Sequence, residues 1–172
     1  MNTLIQTLNR DEILRYLGYN GQSLSSALSE TIDTCIRRTL RAIQPKYLYR
    51  RFPVSREDNG IRIVHTPVLL RGRDIQAQLG NCEEIYLLCV TLGLQIEREI
   101  RTAMILAPDE GVILDSCATT AAEQLADLAE QEIITQCRQE GKNTTWRFSA
   151  GYGDLPLETQ QDIISLMDTH RK

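Results

Sequence analysis

The sequence predicts an α+β fold in which antiparallel strands are enclosed by helices. Apolar residues recur at helical spacing over two long stretches, 23–45 and 110–140. An Asn59-Gly60 pair separates two strand-like runs, which is a hairpin signal. A nearly unbroken apolar run, 84–92, suits a strand buried on both faces. With 172 residues the chain is long enough for one domain with a substantial core.

The elements follow in order. Residues 11–19 form a short helix pattern, with Asp11 as N-cap and Asn20-Gly21 as the stop. Ser23 opens the next helix. Its stripe is Leu24, Leu28, Ile32, Cys35, Ile36, Leu40 and Ile43, and Pro45 ends it. Residues 47–54 read as a strand closed by Pro53. With the turn at Asn59-Gly60 and the run 61–64, they make residues 47–70 an antiparallel ribbon. One or two helical turns fit 72–79. Gly93 breaks the strand 84–92, and Ile96, Ile100, Met104 and Ile105 mark another helix. Pro108-Asp109 caps the long helix, whose inner face is Ile113, Cys117, Ala121, Leu125, Leu128 and Ile133. The small run 118–122 allows close approach by another element. Residues 144–148 read as a strand and 151–154 as a loop. Pro156 starts a last helix with Leu157, Ile163, Ile164 and Leu166 as its apolar set.

The net charge of −4 argues against a nucleic-acid footprint, which is a basic patch on a basic domain. The five cysteines, at 35, 82, 89, 117 and 137, are odd in number and include no CxxC pair. A reducing compartment and no disulfide framework are expected. The N-terminus lacks the basic and apolar regions of a signal peptide, and no apolar run approaches membrane-spanning length. The expected location is the cytoplasm.

Other clusters carry little chemistry. Glu83-Glu84 and Asp109-Glu110 read as turn and helix-start charges, and Asp115, Glu123 and Asp127 as an exposed helix edge. Cys117 and Cys137 have no histidine at metal-ligand spacing, so no metal site is expected. His65 falls in a strand pattern and His170 near the end, each a buried or solvated residue rather than a catalyst. No phosphate-cradling Gly-rich motif is present.

The chemistry concentrates in Arg147-Phe148-Ser149-Ala150-Gly151-Tyr152-Gly153-Asp154-Leu155-Pro156. A guanidinium at a strand end can grip a carboxylate through two parallel hydrogen bonds. Two glycines around Tyr152 let the backbone bend sharply and approach a ligand, and its exposed amides and carbonyls suit an adenine edge. The same residues also suit a plain strand-to-helix turn. In that case Asp154 caps the last helix, Tyr152 lies on the surface and Arg147 is solvated.

This segment resembles the activation domain of cobalamin-dependent methionine synthase, in its short free-standing form. The spacing from Arg147 to Gly151-Tyr152 matches the family's Arg, small residues and Pro-Gly-Tyr. The continuation Gly153-Asp154-Leu155-Pro156-Leu157 is similar to the free-standing relatives, as are stretches 12–19, 90–93 and 114–116. The likeness covers most of the chain, and only the loop is distinctive. It implies a bent antiparallel sheet flanked by helices and one activation-domain-like domain over 1–172. It implies that Arg147 contacts the methionine carboxylate of S-adenosylmethionine. Phe148, Ser149, Ala150 and Gly151 would then make backbone contacts, and Tyr152 would stand beside both cofactor and corrinoid. In the family these groups hold the methyl donor above the cobalt of an inactivated cobalamin on a partner. Reduction by a flavodoxin-type donor gives cobalt(I), which takes the methyl group. Cobalt(I) is itself a strong nucleophile, so no protein base is required and no catalytic residue is expected.

Two departures stand out. Ala150 occupies the family's Pro position. The sequence reaches Lys172 just after the last helix pattern, where relatives continue with strands and a further cofactor-contacting tyrosine. In the family an N-terminal acidic residue binds the cofactor amino group, and Asp11 and Glu12 are the candidates. The implied function is an accessory module for reductive methylation of methionine synthase's cobalamin, in methionine biosynthesis. The alternatives are a reactivation factor for another corrinoid methyltransferase, and a non-catalytic interaction protein that has lost cofactor binding.

Overall fold

The structure is a computed structural model and describes residues 4–168. His170 and the chain end lie outside the described residues. The elements are α1 (Arg10–Tyr16), α2 (Ser26–Ala42), β1 (Lys46–Glu57), β2 (Gly60–Ile63), β3 (Leu69–Leu70), α3 (Arg73–Gln78), β4 (Glu84–Thr91), α4 (Leu94–Leu106), α5 (Pro108–Gln139) and α6 (Thr159–Met167). The four strands form one sheet in the order β3-β2-β1-β4. The expected ribbon is present. β1 pairs antiparallel with β2, from Val54 opposite Ile63 to Glu57 opposite Gly60, and β2 pairs antiparallel with β3. The amide of Gln44 reaches Leu92 O at 2.7 Å and that of Val54 reaches Glu83 O at 2.9 Å, so β4 runs antiparallel to β1. The fold is α+β.

Several boundaries differ from the sequence reading. Asn9, not Asp11, caps α1: its side chain accepts from the amides of Asp11 and Glu12. Ser25 caps α2 by accepting from Leu28 N. β1 runs on through Pro53 to Glu57, because proline removes one donor while its carbonyl still accepts from Val64 N at 3.0 Å. His65 lies in an exposed turn between β2 and β3, with φ of 63°, rather than in a strand. Residues 144–148 join no ladder. Their pattern suits a strand, but Trp146 O accepts from the Gln78 side chain at 2.9 Å. The last helix begins at Thr159, one turn after Pro156, and leaves Leu157 exposed. Leu128 is also exposed, because the buried stripe of α5 passes through Leu125, Ala129 and Ile133 instead.

The chain packs as two compact units: Met1–Tyr47 with Val90–Leu128, and Leu48–Cys89 with Ala129–Lys172. In the first, α1, α2, α4 and the start of α5 bury Ile13, Ile32, Cys35, Ile96, Leu114, Cys117 and Leu125. The Gln124 amide ties the N-terminal segment to this unit. It accepts from Asn9 N at 3.0 Å and donates to Thr7 O at 3.1 Å. Burial pushes the Cys117 thiol up to about 12, with Cys35 adding to the effect. Arg38 bridges Glu110 at 2.7 Å and Glu99 at 3.6 Å, so Glu110 is an ion-pair partner. In the second unit Ile61, Ile63, Leu70, Ile75, Leu87, Leu155 and Met167 form the core, with Phe148 and Ala150 packed on it. Among the described residues no helix is long and apolar enough to cross a membrane.

Candidate functional site

The second unit carries a cleft of about 410 Å³. Its floor is apolar, built from β4 residues Ile85 and Leu87 and from Ile133 and Ile134 of α5. The irregular segment 142–148 borders it. A volume of this size lies within the range of small-molecule sites, roughly 300–1,000 Å³, and such sites combine apolar walls with a few placed polar groups.

The polar groups fall in two clusters. One centres on Glu84, the first residue of β4. Its carboxylate takes Lys142 Nζ at 2.5 Å and has Arg51 Nη1 at 3.8 Å, and Arg51 also meets Glu140 at 2.5 Å. The hydrogen bond from Lys142 is the main reason the Glu84 carboxyl sits below its ordinary range, and the same contact raises Lys142. Beside them, burial and then the neighbouring Cys137 push the Tyr86 hydroxyl up. The other cluster is Arg147 with Glu130 of α5, where Nε lies 3.7 Å from Oε2. These side chains are 33% and 25% exposed, so Arg147 is held at the cleft wall rather than left in solvent.

Beyond Arg147 the chain makes its tight turn. Tyr152 N donates to Ser149 O at 3.1 Å, Gly151 N to Leu155 O at 2.9 Å, and Leu155 N to Tyr152 O at 3.1 Å. These three amides are therefore taken up within the turn and do not face a ligand. Gly151 has φ of 90° and Gly153 φ of 53°, the left-handed region that favours glycine.

Asp154 does not cap the last helix. Its carboxylate accepts from the amides of Arg73 at 2.6 Å and Asp74 at 3.1 Å, and so caps α3 from across the chain. The residue at α3's own N-cap position is Gly72, which has no side chain for the task. These bonds hold the Asp154 carboxyl below its ordinary range. The approach is close on both sides: a Cβ on Gly72 would strike Asp154, and one on Gly153 would strike Asp74.

Of the predicted site residues, Arg147 and Phe148 line the cleft. Phe148 and Ala150 pack on the core beneath, and Ser149, Gly151 and Tyr152 are exposed. Asp11 and Glu12 lie in the first turn of α1, where Glu12 accepts from Arg15. They belong to the first unit, whereas the cleft lining comes from the second. Sequence reasoning missed Glu130, Lys142 and Trp146. Glu130 carried no local signal, since only folding brings α5 to Arg147. Among the described residues no cluster of His, Cys, Asp and Glu suits a metal ion.

No protein-family model matches the chain, and no curated protein matches it either.

Proposed function

We propose that the chain binds S-adenosylmethionine and serves as an accessory module that presents it to a cobalamin-carrying partner. The partner is methionine synthase or a related corrinoid methyltransferase, and a flavodoxin-type protein supplies the electron. The observation that carries this reading is Arg147 at the wall of an apolar cleft, immediately before a glycine turn. The residues present suit the ligand. The guanidinium is placed for a carboxylate, the apolar floor for an adenosyl group, and the cleft is of small-molecule size. When bound, S-adenosylmethionine supplies a methyl group. The chain's own residues need only hold it in place, so this reading asks no lining group to act as nucleophile or base.

The second reading is a non-catalytic interaction protein. It is favoured by the aromatic and aliphatic side chains left open around the loop, Trp146 at 74%, Tyr152 at 68% and Leu157 at 60% exposed. The turn also has a structural reason of its own, since it delivers Asp154 to α3.

Calorimetric titration with S-adenosylmethionine separates the two, with Arg147→Ala beside the wild type. Loss of a charge-assisted pair should weaken binding by about 30-fold or more, and Arg147→Lys should restore only part of it. A folded Arg147→Ala protein with unchanged affinity removes the site. No binding by the wild type at millimolar ligand, with a corrinoid partner present, leaves the interaction protein.

A further inference from the structure

Trp146 is the only tryptophan in the chain. Tryptophan has the largest side chain and is highly buried on average. Here it lines the cleft and is nonetheless 74% exposed. Among the described residues three aromatic side chains line the cleft: Tyr86, Trp146 and Phe148. Two of the rings are already engaged. Tyr86 meets Tyr49 edge-on with ring centres 6.0 Å apart, and the Arg51 guanidinium lies 6.0 Å from its centre. Phe148 packs on the core. Among the described residues the indole of Trp146 meets no other ring and no cation. Core packing therefore gives no reason for a tryptophan at this position.

The main chain of Trp146, by contrast, is held. Its carbonyl oxygen accepts at 2.9 Å from the side-chain amide of Gln78, the last residue of α3, and α3 is itself capped by Asp154. A large flat ring with few rotatable bonds on an anchored backbone loses little freedom when a ligand covers it. A purine offers such a ring a face of matching shape, and base–aromatic stacking works whatever the edges of the base are doing. The aliphatic floor of Ile85, Leu87, Ile133 and Ile134 provides apolar surface but no π face.

We infer that the indole of Trp146 is the stacking platform for the ligand's adenine ring, and that it makes the cleft selective for ligands with a nucleoside end. The inference rests on the reading of this cleft as an S-adenosylmethionine site. Trp146 is a binding residue and takes no part in methyl transfer.

The test uses the whole chain and two ligands, S-adenosylmethionine and S-adenosylhomocysteine, which keeps the adenine but lacks the sulfonium charge. Because Trp146 is the sole tryptophan, its fluorescence reports this contact alone. S-adenosylmethionine should quench it saturably, along the isotherm that calorimetry gives. Trp146→Ala should bind both ligands about 10-fold more weakly, the weight of one base–aromatic stack. Trp146→Phe, which keeps a ring, should recover most of that loss. Melting curves accompany both variants, and a side chain this exposed should leave them folded. Binding seen by calorimetry with unchanged emission overturns the inference without recourse to any variant. So does a Trp146→Ala protein with wild-type affinity, a loss confined to S-adenosylmethionine, or a Trp146→Phe protein no tighter than Trp146→Ala. In those cases S-adenosylmethionine still binds and the functional reading stands. A wild-type chain that binds neither ligand removes both.

Discussion

Gly72→Ala tests whether the glycine turn is built around the cap on α3. Gly72 has φ of 135° and ψ of 153°, a region that is essentially glycine's own. Forcing alanine into it costs on the order of 1–3 kcal/mol. The new Cβ would also lie 3.0 Å from Asp154 Cγ and 3.1 Å from the Asp154 carbonyl oxygen. One contact is with backbone, so the loop must shift, and overpacking of this kind costs roughly 1–3 kcal/mol. Together they come to about 3 kcal/mol, or a fall in Tm of about 6–12 °C for a chain of this size. Gly141→Ala is the control. Gly141 also has positive φ, 72°, but a Cβ there meets nothing within 4 Å. It should cost only the left-handed strain, about 1 kcal/mol and about 2–4 °C. Thermal melts followed by circular dichroism measure both. Asp154→Ala in the Gly72→Ala background should relieve part of the clash, so the two effects should not add. Equal Tm shifts for the two glycine variants, or full additivity with Asp154→Ala, would refute the close-approach argument.

Three further outcomes follow from the same geometry. The Asp154 carboxyl is depressed below its ordinary value of 3.8, so its stabilising contribution is present above that pH and is lost as pH falls through the lowered value. The stability gap between wild type and Asp154→Asn should therefore narrow below about pH 3.8 in acid-unfolding curves, and a gap that widens there contradicts the assignment. Gly151→Val should lower Tm and ligand affinity more than Ala150→Pro, because Gly151 has φ of 90° and its Cβ would lie 3.1 Å from a Leu157 methyl carbon. Identical melts and isotherms for the two would count against it. The Thr39 hydroxyl is buried, and the group beside it is the Cys117 thiol, a weak hydrogen-bonding group that leaves it poorly satisfied. Thr39→Val should thus raise stability by about 1 kcal/mol in urea unfolding, and a loss of that size would mean the hydroxyl is satisfied in solution.

Local chemistry was legible where it decides structure by itself. Asn59-Gly60 announced the β1–β2 turn, and the stripe from Leu28 to Leu40 announced α2. What failed depended on partners distant in the chain. Residues 144–148 have the composition of a strand, but a strand exists only through a ladder, and the hydrogen bond recorded at Trp146 O comes from a side chain. Leu128 fits a helical repeat counted forward from Leu125. Yet the inward positions of α5 run Leu125, Ala129, Ile133 and Cys137 in steps of four, so the buried stripe drifts by roughly 40° at each step. No local window shows which of these positions turns inward once α5 packs.

The loop shows how one sequence motif can carry two duties without conflict. Its glycines and Asp154 are explained by α3, since the carboxylate caps that helix and the missing side chains let it approach. They therefore lend no independent support to a ligand. What the structural duty leaves unexplained is the part just before the turn. Arg147 is not needed for the cap, yet it is held at the wall of the cleft against Glu130. The turn fixes the backbone that follows Arg147, and a guanidinium so anchored loses less freedom when it binds a carboxylate. On this argument the rigid half of the motif serves the binding half by pre-organisation. Substitutions at Gly72 or Asp154 should then weaken ligand binding through the position of Arg147, although neither residue lines the cleft.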